Sequence, residues 1–227
     1  MASSNEFKIT VHGKGSHAAL PHNGVDPVPV ACQMVQAFQT IISRNKKPVD
    51  AGVISVTMIH TGEATNVVPD HCEMQGTVRT FSLEVLDLIE QRMRDVAQHT
   101  CAAFGATCTF EFERNYPPTV NHPAETAFAQ QVMASIVGEA GVLVQEPTMG
   151  AEDFSFMLQA KPGAYVFIAN GNGAHRGGYE GCGHGMSHDV GPCTLHNPHY
   201  DFNDALIPLG AGFWVQLVQA QLGGQAL

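Results

Sequence analysis

The strongest constraint on the fold is the order in which the hydrophobic period changes along roughly the first half of the chain. Phe7, Ile9 and Val11 alternate with Glu6, Lys8 and Thr10, the period of a strand with one buried face. After a glycine-rich turn, Gly13-Lys14-Gly15-Ser16-His17, Asp26 offers an N-cap with Pro27 at the first helical position. Ala31, Met34, Val35, Phe38, Ile41 and Ile42 then recur at helical spacing. Residues 53–59 and 72–78 return to alternation, and Thr61-Gly62-Glu63-Ala64-Thr65-Asn66 between them is loop-like. Ser82 caps a second helix whose Leu86, Ile89, Met93, Val96, Ala97, Cys101 and Phe104 share a face; Gly105 ends it, and residues 107–113 form a last strand. The order β-α-β-β-α-β is the split βαβ of ferredoxin-like domains, an antiparallel sheet with two helices on one face. It predicts one compact domain over residues 5–115.

At Tyr116-Pro117-Pro118 the pattern changes to an α/β style over residues 116–227. A helix is expected at 123–137, then a short strand, then a helix near 152–158. Residues 164–169 are a continuous apolar run of the kind buried parallel strands show. Residues 206–222, with Phe213 and the single tryptophan Trp214, are apolar over most of a helical circumference and are expected to lie largely buried. Two or three parallel strands would expose an edge and a face, so another subunit covers them or the chain is part of a longer protein.

Charge narrows the function classes. Eleven basic against twenty-one acidic side chains give a net charge of −10, which argues against a nucleic-acid partner. No apolar run is read as approaching the roughly 20 residues of a membrane span, and the polar start lacks a signal peptide's basic and apolar regions, so the expected setting is the cytoplasm. The six cysteines are dispersed, as buried thiols are, rather than arranged as a disulfide framework.

The chemistry-bearing residues are few. Leu195-His196-Asn197-Pro198-His199-Tyr200-Asp201-Phe202-Asn203-Asp204 places two imidazoles near acids ahead of an apolar helix; neutral imidazole binds zinc when an acceptor holds its other ring nitrogen. Cys182, His184, His188 and Cys193 offer a further set, at a spacing that fits no standard zinc pattern well. His17 reads as a turn histidine, Asn66 as a turn residue and Arg79 as an outward-facing strand residue.

Five ordered blocks carry a resemblance that covers essentially the whole chain: Gly13-Lys14-Gly15-Ser16-His17-Ala18-Ala19-Leu20-Pro21-His22, Ala64-Thr65-Asn66-Val67-Val68-Pro69, Gly76-Thr77-Val78-Arg79-Thr80-Phe81, Met149-Gly150-Ala151-Glu152-Asp153-Phe154, and the stretch from Leu195 to Asp204. They resemble the dimetal amidohydrolases and peptidases that include hippurate hydrolases, N-acyl-amino-acid hydrolases and auxin-conjugate hydrolases. The resemblance implies a ferredoxin-like lid that dimerises, followed by the closing half of an α/β metallopeptidase catalytic domain. It implies amide hydrolysis of a small N-acyl amino acid or peptide-like substrate in a homodimer, with two divalent ions (zinc, manganese or cobalt) in the complete site. His17 is then the lid histidine that polarises the scissile carbonyl in the partner's site. Asn66 and Arg79 contact the substrate's polar end, Arg79 suiting its carboxylate. His196 is the last metal ligand. The family's opening segment, a Cys-Gly-His-Asp type motif and a Glu-Glu pair, has no counterpart here; Cys182-Gly183-His184-Gly185 lacks the aspartate. A chain without those ligands is expected to be inactive alone, and the alternative is a catalytically silent dimerisation module derived from the family.

Overall fold

The computed structural model describes residues 1–170, 200 and 202–223. The expected order of elements forms. β1 (Ser4–His12), α1 (Pro27–Thr40), β3 (Gly52–His60), β5 (His71–Thr80), α2 (Leu83–Ala103) and β6 (Thr107–Tyr116) build a four-stranded sheet in the order β3-β5-β1-β6, with every pairing antiparallel. Both helices start where the caps predict: Asp26 accepts from the Val28 amide at 2.9 Å and Ser82 from the Val85 amide at 3.2 Å. Two further strands, β2 (Ser16–His17) and β4 (Val67–Val68), pair as a separate two-stranded sheet.

The core lies between one sheet face and the two helices. Phe7, Ile9 and Val11 from β1 and Cys72, Met74 and Val78 from β5 pack with Met34, Phe38, Leu86, Ile89 and Met93. Phe7 sits opposite Gly76 in the register and meets Phe38 edge-on at 6.3 Å. A Cβ at Gly76 would run into the Ser55 carbonyl and come within 2.6 Å of the Phe7 ring, so only glycine lets the strands close here. The opposite face is polar, with Lys8 bridged to Glu73 at 2.7 Å between adjacent strands.

The contacts divide the chain into two compact units, Met1–Val120 with Glu146–Pro162, and Asn121–Gln145 with Gly163–Leu227. In the second, α3 (Pro123–Val137) packs Ala129 and Val132 against Phe213 of the last helix, α5 (Ile207–Gly223). The short helix α4 (Phe154–Ala160) belongs to the first unit.

Four expectations for the second half need correction. No strand forms between α3 and α4. Residues 164–169 are not a strand either, and Phe167 and Ile168 are both 49% exposed. No neighbouring strand is available to them among the described residues; the backbone of Tyr165 is satisfied by the Asn121 amide, which donates to its carbonyl and accepts from its N–H, both at 2.8 Å. Finally, α5 buries only Phe213, while Ile207, Trp214, Val215, Val218 and Leu222 are exposed. One packed helix, α3, covers one stripe of a helix that is apolar on several sides. By length and composition, residues 204–223 also reach what a membrane span requires, contrary to the expectation that no run does.

Candidate functional site

His17 and Asn66 come together although their positions differ by 49 (66 − 17) in sequence. The β2–β4 pairing sets His17 opposite Val67, and the Ala18 amide donates to the Asn66 carbonyl at 3.0 Å. Asp70 secures this arrangement from the start of β5. Its carboxylate accepts the Gly15 amide at 2.7 Å and its carbonyl accepts the Gly13 amide at 2.8 Å. A Cβ at Gly15 would lie 2.9 Å from that carboxylate, which is the reason for glycine at this position. Gly15, Ser16, His17, Asn66 and Asp70 line a cavity of about 480 Å³ together with Val67, Val68 and Pro69.

The imidazole of His17 has one nitrogen committed. The Ala19 amide donates to Nδ1 at 3.0 Å, so a neutral ring carries its proton on Nε2. That nitrogen makes no hydrogen bond among the described residues, and the ring is exposed. The Asn66 side-chain amide is likewise exposed and without a hydrogen-bond partner among them. The site therefore presents an N–H donor held in one tautomer beside a free carboxamide. The buried Ser16 hydroxyl next to them also has no hydrogen-bond partner among the described residues.

Arg79 is not brought into this cluster. It lies eight residues after His71 on β5, roughly 26 Å away at strand rise, on the sheet face opposite the helices and beside Val53 of the edge strand β3. No hydrogen bond or ion pair engages its guanidinium among the described residues. The strand end that carries it is fixed by a buried polar network. Ser3 Oγ and Thr80 Oγ1 are 3.0 Å apart, the Thr80 amide donates to Ser3 Oγ at 3.1 Å, and Asn5 Nδ2 donates to Ser3 Oγ and the Val78 carbonyl at 2.9 and 3.0 Å. Sequence reasoning did not single out Ser3, Asn5, Thr80 or Asp70. An aspartate directly after Val68-Pro69 and facing a glycine-rich turn was the one signal available for Asp70.

His196, and with it Cys182, His184, His188 and Cys193, lies outside the described residues. Among the described residues no group of three or more His, Cys, Asp or Glu side chains is placed to hold a metal ion. Asp153 sits at the N-cap of α4, as a helix-start acid should, without a side-chain capping bond.

Comparison with known proteins meets this geometry. Residues 3–104 match the family model of the peptidase dimerisation domain of the M20 type. The chain is 41% identical over 173 residues to thermostable carboxypeptidase 1 of Saccharolobus solfataricus, a match covering 76% of this chain and 43% of that one. With IAA-amino acid hydrolase ILR1-like 4 of Arabidopsis thaliana it shares 31% identity over 226 residues, 98% of this chain and 48% of the relative. The chain thus spans about half the length of the curated relatives it matches. Among solved structures, the Bacillus subtilis YXEP protein, a dinuclear metal binding peptidase of the M20 family, superposes with a TM-score of 0.72 at 24% identity, covering 98% of this chain and 51% of that one; this likeness concerns the fold. Residues 3–104 thus belong to the M20 peptidase dimerisation domain family, and the relatives that the chain resembles are named carboxypeptidase and IAA-amino acid hydrolase.

Proposed function

We propose that this chain is the dimerising lid, residues 5–115, and the closing half, residues 116–227, of an amidohydrolase that cleaves the amide of an N-acyl amino acid or small peptide-like substrate. The observation that carries the reading is His17. A ring whose Nδ1 is occupied by the Ala19 amide offers Nε2–H outward, the donor that a carbonyl oxygen gaining negative charge requires. Asn66 adds a carboxamide at the same mouth, and Arg79 suits the carboxylate of the substrate.

The separation of His17 from Arg79 along β5 means that one copy cannot bring both to one small substrate. Two copies can. The β6 edge carries Glu111 and Glu113, and its Arg114 is bridged to Asp87 and Glu90, the charged dressing that discourages strand pairing. The β3 edge instead exposes Val53, Met58 and Ile59. Two-fold pairing of β3 with a second β3 runs the strands antiparallel, so the His60 end, near the His17 hairpin, falls beside the partner's Gly52 end, near the partner's Arg79. Three strand spacings, roughly 14 Å, then replace the length of β5. In this reading each site takes the histidine from one subunit and the guanidinium from the other.

The described residues do not fit a dimetal pair, so no step is assigned to them through metal. Two divalent ions, zinc, manganese or cobalt, belong to the proposal with His196 as one ligand. The test is a protein completed with the catalytic segment of a relative, assayed on N-acyl amino acids. His17→Ala should lower kcat by on the order of 10² to 10³, the cost of one oxyanion donor. Arg79→Ala should instead raise KM strongly. Equal effects of both changes on KM alone, with kcat untouched, would sink the assignment of His17.

A further inference from the structure

Cys101 and Cys108 enter the same core from either side of the turn between α2 and β6. Cys101 is the last core-facing residue of α2 and is 1% exposed. Cys108 stands opposite Val11 in the β1–β6 register, so its side chain projects to the helix-covered face of the sheet and packs against the same core cluster, yet it is only half-buried. The link between them is tight: the Ala106 amide donates back to the Cys101 carbonyl at 2.9 Å, and Gly105 makes the reversal at φ +74°. Both side chains reach the same core cluster from the two sides of the turn. The neighbouring Cys101 thiol, set against desolvation by burial, brings the Cys108 thiol down to about 7, while Cys108 and burial push Cys101 up. Cys108 is thus the nucleophile of the pair and Cys101 the protected reserve thiol. The other described cysteines lack this pairing. Cys32 is exposed, and Cys72 is buried with its thiol pushed up by desolvation.

We propose that Cys101 and Cys108 are a peroxide-reactive dithiol that closes to a disulfide across the α2–β6 turn. The Cys108 thiolate attacks one peroxide oxygen, the O–O bond breaks, and hydroxide leaves, giving a sulfenic acid on Cys108. The Cys101 sulfur then attacks the Cys108 sulfur, forming the S–S bond as the sulfenic oxygen departs with the Cys101 proton as water. Two thiols are oxidised by two electrons and one peroxide is reduced. The modification pins the end of the sheet from which the His17 turn departs, since β1 runs from Val11, beside Cys108, directly into Gly13.

The sequence makes the test direct. No Lys or Arg lies between Arg94 and Arg114, so trypsin releases residues 95–114 as one peptide containing both cysteines. The folded chain is treated with stoichiometric hydrogen peroxide, alkylated under denaturing conditions and digested. Peptide 95–114 should lose two hydrogens and both alkylation sites, and dithiothreitol should restore them. Cys101→Ser should abolish the bridge and let Cys108 accumulate as sulfenic acid, trapped by dimedone; Cys32→Ser should leave the bridge unchanged. Peptide 95–114 staying fully alkylated while Cys32 oxidises would overturn the proposal, as would linkage of Cys101 or Cys108 to any other cysteine.

Discussion

Mixed dimers give the sharpest check on how the two ends of β5 are used. His17→Ala protein and Arg79→Ala protein, each completed with a catalytic segment, are combined in equal amounts under conditions that exchange subunits. If His17 serves its partner's site and Arg79 its own, every heterodimer holds one site lacking both residues and one with both intact. Random pairing makes about half of the dimers mixed, so about one quarter of all sites recover. A single lost oxyanion donor costs at least about 10², so the mixture should exceed the His17→Ala parent by roughly 25-fold. A lost carboxylate clamp costs at least about 2 kcal/mol, near 30-fold, so it should exceed the Arg79→Ala parent by roughly eightfold. The assay is kcat/KM on an N-acyl amino acid, with heterodimers counted by native mass spectrometry. The roughly 26 Å along β5 is what makes the outcome two-valued. If both residues act in the same chain's site, no heterodimer has an intact site. Activity that stays at the mean of the parents while heterodimers are present would refute the composite arrangement.

Two further outcomes follow from the sheet itself. Gly76→Ala should destabilise the chain by about 3 kcal/mol, because a Cβ there collides with the Ser55 backbone and the Phe7 ring; an unchanged urea midpoint would contradict the packing described. Glu73 is held below the usual carboxylate range by its hydrogen bonds from Lys8 and then Gln75. A carboxyl with a lowered folded pKa contributes stability that is present above its unfolded value and is lost as pH falls through the folded one. Lys8→Met should therefore move the Glu73 carboxyl titration, followed by NMR, upward and shrink the acid-side loss of stability. No movement would show the ion pair to be idle in solution.

The lid was legible because each of its long elements repeats a pattern at least twice. Phe7, Ile9 and Val11 state a strand, and Leu86, Ile89 and Met93 state a helix, and the caps Asp26 and Ser82 fix where helices begin. β2 and β4 hold two residues each, too few to show any period, so Ser16 and His17 read as a turn. The proximity of His17 to Asn66 and the distance of Arg79 are products of register, which the residues alone do not state. In the second unit the apolar run 164–169 met the composition of a strand without a neighbour to pair with among the described residues, and the amide of Asn121 took the backbone of Tyr165 instead. Composition reports burial demand; it does not report which surface answers it.

The tie from Asp70 to the Gly13–Gly15 turn bears on how such a lid can diversify. The position of His17 is referenced to Val67, Asn66 and Asp70, all on the far side of the 62–64 segment, and Gly62 there sits at φ +72° with open space around it. Residues inserted beside Gly62 would extend the rim of the cavity while leaving the imidazole where it is. An insertion between Asp70 and His71 would instead break the registration of the histidine with the sheet. On the proposed reading, the chain thereby separates a segment that can change length from a fixed one that holds the histidine, and the first can be altered without moving the second.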